Sequence, residues 1–126
     1  MTEDQLYREA LLERYSNPVN QGTLANADFE ATLLNPLCGD EIKLQLKVEG
    51  EKLKVVEKAV FSGNGCALSQ VSASLVAEFV EGKNIEQVRR FDSEELIKLL
   101  GVNPTPARLK CVLLSLEVLK KALQAL

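Results

Sequence analysis

The sequence predicts an α+β fold, a three-stranded antiparallel sheet packed with helices on one face in the order α-β-β-β-α-α-α. Three observations carry this. Apolar residues alternate with polar ones only between Phe29 and Phe61. Helical spacing, with start and stop signals, occurs before and after that stretch. Turn residues separate the three alternating runs, which marks them as hairpin neighbours.

Thr2 to Ser16 opens with the capping pattern Thr2-x-x-Gln5 and puts Leu6, Ala10 and Leu11 on one helical face, so it reads as a helix. Asn17-Pro18 and Asn20-Gln21-Gly22 stop it. Phe29, Ala31 and Leu33 then alternate with Glu30 and Thr32, and Ile42, Leu44, Leu46 and Val48 with Lys43, Gln45 and Lys47. Glu49-Gly50-Glu51-Lys52 forms the next turn. The third run is expected to place Leu53, Val55, Glu57, Ala59 and Phe61 on one face, with Val56 and Val60 on the other.

After Gly63-Asn64-Gly65 the spacing becomes helical from Ala67 to Glu81, with Gly82 suited to a left-handed C-terminal cap. Asn84 to Phe91 is a candidate short helix. Asp92-x-x-Glu95 starts a helix that ends near Gly101, and Thr105-Pro106 starts the last one. Its apolar stripe is expected to be Leu109, Val112, Leu113, Leu116 and Leu123. No repeat or linker interrupts the chain, and residues 1–126 are read as one domain of ordinary size.

Composition excludes several function classes. The net charge is −3, and there is no Trp, with only two Tyr and four Phe, so neither a phosphate-neutralising patch nor a base-stacking platform for nucleic acid is expected. No basic leader or apolar span is visible, and a cytoplasmic protein without membrane contact is expected. Histidine is absent. That removes imidazole-based catalytic triads and dyads and imidazole metal ligands together.

The three cysteines are an odd number in a chain without a secretory signal, which favours metal-binding or reactive thiols over a disulfide framework. Each lies where an element begins or changes. Cys38 sits in Asn35-Pro36-Leu37-Cys38-Gly39-Asp40, between the first two strands; Cys66 follows Gly63-Asn64-Gly65 at a helix start; Cys111 follows Arg108 and Lys110 early in the last helix. A helix N-terminus and neighbouring cations both favour thiolate, the form that binds metal and attacks sulfur. With Asp40 the cysteines make four ligands, the number structural zinc takes, and the oxygen ligand is the one most easily displaced. Singly, each cysteine also fits a small buried apolar residue and Asp40 a turn cap. Arg108 and Lys110 equally fit a solvated first turn, and Gly63-Asn64-Gly65 a plain strand-to-helix turn.

Asn35-Pro36-Leu37-Cys38-Gly39-Asp40, Gly63-Asn64-Gly65-Cys66-Ala67-Leu68-Ser69 with Ala73-Ser74, and Ala107-Arg108-Leu109-Lys110-Cys111 resemble the three cysteine motifs of the U-type iron-sulfur cluster assembly proteins, IscU, SufU and the N-terminal domain of NifU. Tyr15-Ser16-Asn17-Pro18-Val19-Asn20-Gln21-Gly22 is similar to that family's N-terminal signature. The resemblance implies the SufE/NifU-like fold and a metal site made by Cys38, Asp40, Cys66 and Cys111. It implies a cysteine desulfurase as sulfur donor, a transient [2Fe-2S] cluster, and recipient apo iron-sulfur proteins. In SufU-type members it implies bound zinc and persulfide relay instead. Cys111, with Arg108 and Lys110 as supporting charge, is then the candidate persulfide acceptor.

The pattern is mixed between the two branches. Lys110 stands where IscU-type proteins carry histidine, as in SufU, yet the segment between Cys66 and Cys111 has no room for the SufU insertion. The Leu-Pro-Pro-Val-Lys chaperone-docking sequence of IscU is replaced around Asn103-Pro104-Thr105-Pro106, so docking of the specialised Hsp70 system is not expected. Two other classes are a structural zinc module serving only as an interaction domain, and a free-standing cysteine enzyme. The first predicts unfolding on metal removal; the second must activate its thiol without histidine.

Overall fold

The computed structural model of the chain describes residues 3–35, 39–101 and 103–124, with side chains at 9 and from 11 onward within those spans. The elements in order are α1 (Glu3–Ser16), β1 (Phe29–Asn35), β2 (Asp40–Glu49), β3 (Val55–Asn64), α2 (Ala67–Val80), α3 (Ile85–Arg89), α4 (Ser93–Leu100) and α5 (Pro106–Leu123). The expected architecture is present, and the candidate short helix exists as α3. The proposed cap at Thr2 and Gln5, and the side chains of Leu6 and Ala10, lie outside what is described.

The sheet is an antiparallel meander, β1-β2-β3. β1 and β2 pair from Phe29–Leu46 to Asn35–Asp40 without interruption. β2 and β3 pair from Glu41–Asn64 to Glu49–Val55, with one register shift between Lys47 and Val48. Lys47 faces Lys58 and Val48 faces Val56, so Glu57 is an extra residue on β3. This bulge corrects the simple alternation expected for the third run. One added residue exchanges the two faces of a strand. Ala59 and Phe61 are buried, but it is Val56 that joins them, while Val55 is half-buried and Leu53 lies exposed before the strand.

The core lies between the sheet and the pair α2 and α5, which contact the sheet and each other. Ala31, Ile42, Leu44, Leu46, Val56, Ala59 and Phe61 supply the sheet side. The valine, leucine, isoleucine and phenylalanine side chains among them contribute about 1.5–3 kcal/mol each when fully buried. The buried face of α5 is wider than the expected stripe. Leu114, Val118 and Leu119 are buried with Val112 and Leu116, because the helix touches α2 on one flank and β1 and β2 on another. Leu109 and Leu113 are only half-buried.

Side-chain caps start α3 and α4, whereas Cys66 and Thr105, the N-cap residues of α2 and α5, make no side-chain cap hydrogen bond. Asn84 and Gln87 form a reciprocal capping box, Asp92 accepts from the Glu95 N–H, and Gly82 and Gly101 follow α2 and α4 in left-handed conformations. The outer edge of β3 is covered at two places. Phe61 N–H donates to Asn20 O and Gly22 N–H to Phe61 O, both at 2.9 Å, while Val56 N–H donates to Lys83 O at 2.9 Å. Such covering removes an open template for pairing with another chain.

α1 is tied down through α2. Arg14 reaches Ser74 at 3.2 Å and Glu78 at 2.7 Å, and the Ser74 hydroxyl donates to Val19 O at 2.6 Å. No helix among the described residues is long and apolar enough to cross a membrane.

Candidate metal centre

The site forms at the end of the sheet where β2 begins, β3 runs into α2, and the second turn of α5 passes overhead. Asp40 opens β2 and pairs with Asn35. Gly39, at φ 75°, takes the left-handed conformation that brings the chain into the strand, and its N–H donates to Asn35 O at 2.8 Å. The Asp40 side chain is buried at 3% exposure, an arrangement that requires polar partners.

Those partners come from the strand-to-helix turn. The Cys66 N–H donates to Asp40 Oδ1 at 3.0 Å, and the Ser69 hydroxyl donates to Asp40 Oδ2 at 2.5 Å. Two glycines make the approach possible. A Cβ at Gly63 would stand 2.0 Å from Glu41 O at a backbone φ of 135°, which no other residue tolerates. A Cβ at Gly65 would stand 3.1 Å from Asp40 Cγ. The glycines flanking Asn64 therefore let the backbone close on a carboxylate of the chain's own second strand.

Cys66 is the N-cap residue of α2, in an extended conformation, with its thiol half-buried at the positive end of the helix dipole. Cys111 is buried on α5. A carboxylate oxygen of Asp40 and the sulfurs of Cys66 and Cys111 lie within 4.8 Å of one another. Bonds of about 2.0–2.3 Å to a common ion span that gap with small side-chain adjustments, and two thiolates with a carboxylate suit zinc or iron. The donors present therefore fit the metal expected from the sequence. Cys38, two residues from Asp40 along the chain, lies outside the described residues.

The two supporting cations are placed differently from the thiols. Arg108 and Lys110 are exposed. Lys110 lies one residue, about 100° of helix rotation, from Cys111. It lines a groove with Leu33, Leu34, Asn35, Leu113, Leu114 and Glu117, between β1 and α5.

Ser69 was not among the expected site residues, although it touches every described member of the site. Besides Asp40, its hydroxyl lies 3.5 Å from Cys66 Sγ and 3.3 Å from Cys111 O, and it is fully buried. The signal that finds it is Cys66-x-x-Ser69, a spacing that puts both side chains on one helical face.

A family model described as NifU-like N terminal domain matches residues 6–126. The zinc-dependent sulfurtransferase SufU of Bacillus subtilis is 36% identical over 94% of this chain and 89% of its own length. The iron-sulfur cluster assembly scaffold protein IscU of Thermotoga maritima is also 36% identical, over 94% of this chain and 93% of its own. Both alignments run 135 positions, longer than this chain, so each relative carries residues that are missing here. Among solved structures, the SUF-system SufU of Fervidobacterium islandicum superposes with a TM-score of 0.76 at 27% identity, covering 91% of this chain and 94% of that one. A meander sheet closed by two helices, a carboxylate and two thiols gathered at its end, and a family match across nearly the whole length lead to one conclusion: this chain belongs to the NifU-like N-terminal domain family.

Proposed function

We propose that this chain, acting as a single domain over residues 1–126, is an iron-sulfur cluster assembly scaffold. It accepts sulfur from a cysteine desulfurase, binds iron, and transiently holds a [2Fe-2S] cluster for transfer to recipient apoproteins. The observation that carries the reading is the clustering of Asp40, Cys66 and Cys111 within 4.8 Å at a largely buried site. Iron and sulfur are cargo in this scheme, and Cys38, Asp40, Cys66 and Cys111 are its holders.

Sulfur enters through thiol–disulfide chemistry. The Cys111 thiolate attacks the terminal sulfur of the desulfurase persulfide. A new S–S bond forms on Cys111, the desulfurase S–S bond breaks, and the desulfurase cysteine leaves as thiolate. Reduction of the transferred sulfur to sulfide draws electrons from an external reductant. Burial of Cys111 fits a sulfur that must be shielded from solvent thiols between delivery and use, while half-buried Cys66 provides the opening. Asp40 supplies the hard, exchangeable ligand through which cargo leaves.

A second reading has its own support. Lys110 precedes Cys111 in place of histidine, and a zinc-dependent sulfurtransferase is among the relatives at 36% identity. In that reading the four side chains hold zinc, which would supply a fixed positive charge that stabilises thiolate, and persulfide sulfur is relayed onward. The residues missing here relative to SufU are no argument against it, because the IscU scaffold of Thermotoga maritima aligns over the same 135 positions.

Metal analysis of the isolated protein, followed by anaerobic reconstitution with iron and sulfide and absorption spectroscopy, separates the two. The scaffold reading expects cluster bands at the expense of any zinc; stoichiometric zinc retained throughout establishes the relay instead. Asp40→Ala is expected to lengthen the lifetime of the reconstituted cluster several-fold. Release at the unaltered rate would remove Asp40 from the exchange role.

A further inference from the structure

Ser69 has no place in the ligand set, yet it stands at its centre. It lies one helical turn after Cys66, at 0% exposure, where no solvent molecule can substitute for a lost hydrogen bond. Its hydroxyl carries one proton and has three polar neighbours: the acceptors Asp40 Oδ2 at 2.5 Å and Cys111 O at 3.3 Å, and Cys66 Sγ at 3.5 Å, which can donate or accept. Asp40 Oδ2, nearest of the three, takes it.

The other Asp40 oxygen accepts from the Cys66 N–H. An aspartate has two side-chain torsions. A backbone donor on one oxygen and a side-chain donor on the other restrain both. Both donors sit at the start of α2, so the carboxylate is aligned by the helix that also carries the Cys66 thiol. Donors behind a metal-binding side chain fix its direction, and their removal typically costs 10–100-fold in metal affinity.

We propose that Ser69 is the positioning residue for Asp40: its hydroxyl holds the carboxylate at the distance and angle from Cys66 and Cys111 at which all three can share one metal ion. This rests on the metal-centre reading above. Ser69 acts through Asp40 and does not itself enter the coordination shell.

Cobalt(II) titration followed by visible absorption tests this, with wild-type protein, Ser69→Ala, Ser69→Thr, Asp40→Ala and the double variant Asp40→Ala/Ser69→Ala, each checked for a folded state by circular dichroism. Ser69→Ala is expected to weaken cobalt binding about 10-fold or more, and to shift its spectrum toward that of Asp40→Ala. Ser69→Thr, which keeps the hydroxyl, restores both. In the Asp40→Ala background, Ser69→Ala adds nothing. Cobalt affinity reports the number of ligands, whereas cluster lifetime reports their exchange, so Asp40→Ala can lower the first and lengthen the second. An equal loss in both backgrounds, or unaltered cobalt affinity and spectrum in Ser69→Ala, overturns the proposal. Should Ser69→Thr not fold, the comparison of the two Ser69→Ala backgrounds decides alone. Folded wild-type protein that takes up no cobalt overturns the metal reading itself, a result distinct from any of these.

Discussion

At the end of the sheet where β2 begins, polar side chains hold the backbone together: Asp40 accepts from Cys66 N–H and from Ser69, both in or next to the first turn of α2. At the opposite end the same helix finishes among apolar groups and main chain. Phe79 stacks on Phe91 with ring centroids 4.3 Å apart; Val56, Val80 and Val88 are buried; and Gly82 N–H donates to Val56 O at 2.8 Å. One end thus spends hydrogen-bonding groups on a carboxylate that stands beside two thiols, while the other builds a packed core. Burial of an acid is tolerated only where donors have been arranged for it, so the polar end is the specialised one.

If the division is real, damage at the packed end should reduce stability and leave the site's chemistry intact in the molecules that remain folded. Phe91→Ala removes a ring that is 1% exposed and is expected to cost about 3–5 kcal/mol in urea unfolding. Cobalt affinity of the folded fraction should stay at the wild-type value. A parallel loss of affinity would show that the two ends are energetically coupled along α2.

Gly63→Ala strikes the junction of sheet and site. The new methyl would meet Glu41 O at 2.0 Å, and the backbone at φ 135° disfavours any side chain. A destabilisation of about 3 kcal/mol is expected, together with weakened cobalt binding, since β3 must shift against the strand that carries Asp40. Wild-type stability would mean that the turn has room to relax.

The smallest expected effect sharpens the comparison most. Gly65→Ala brings a methyl to 3.1 Å from Asp40 Cγ without a left-handed backbone to oppose it. Stability should fall by about 1 kcal/mol, while cobalt binding weakens disproportionately because the carboxylate itself is displaced. Unaltered affinity would show that Asp40 needs no exact placement, and would weaken the case for Ser69 as well.

Much of this molecule follows from its sequence. Alternation along residues 29–48 specified two strands and the face each buries, because side chains on a strand alternate by geometry. Asn84, Asp92, Gly82, Gly101 and Pro106 marked helix ends, because the unpaired groups there accept only a few residue types. The absence of histidine and three ordered cysteine motifs pointed to a thiolate and carboxylate site. Local chemistry was sufficient for the strands and helix ends, whereas the site was implied by the resemblance of those motifs to a known family.

What tertiary structure alone decided is relational. The bulge at Glu57 exchanges the faces of β3 and buries Val56 with Ala59 and Phe61, because β3 must match both β2 and the core beneath it. α5 buries a broader face than its stripe of leucines indicated, because it packs against a helix and two strands together. Ser69 reads as an unremarkable helical serine in sequence. Only the folded chain places its hydroxyl against Asp40 of β2 and the Cys111 carbonyl of α5, since elements other than its own helix supply those partners.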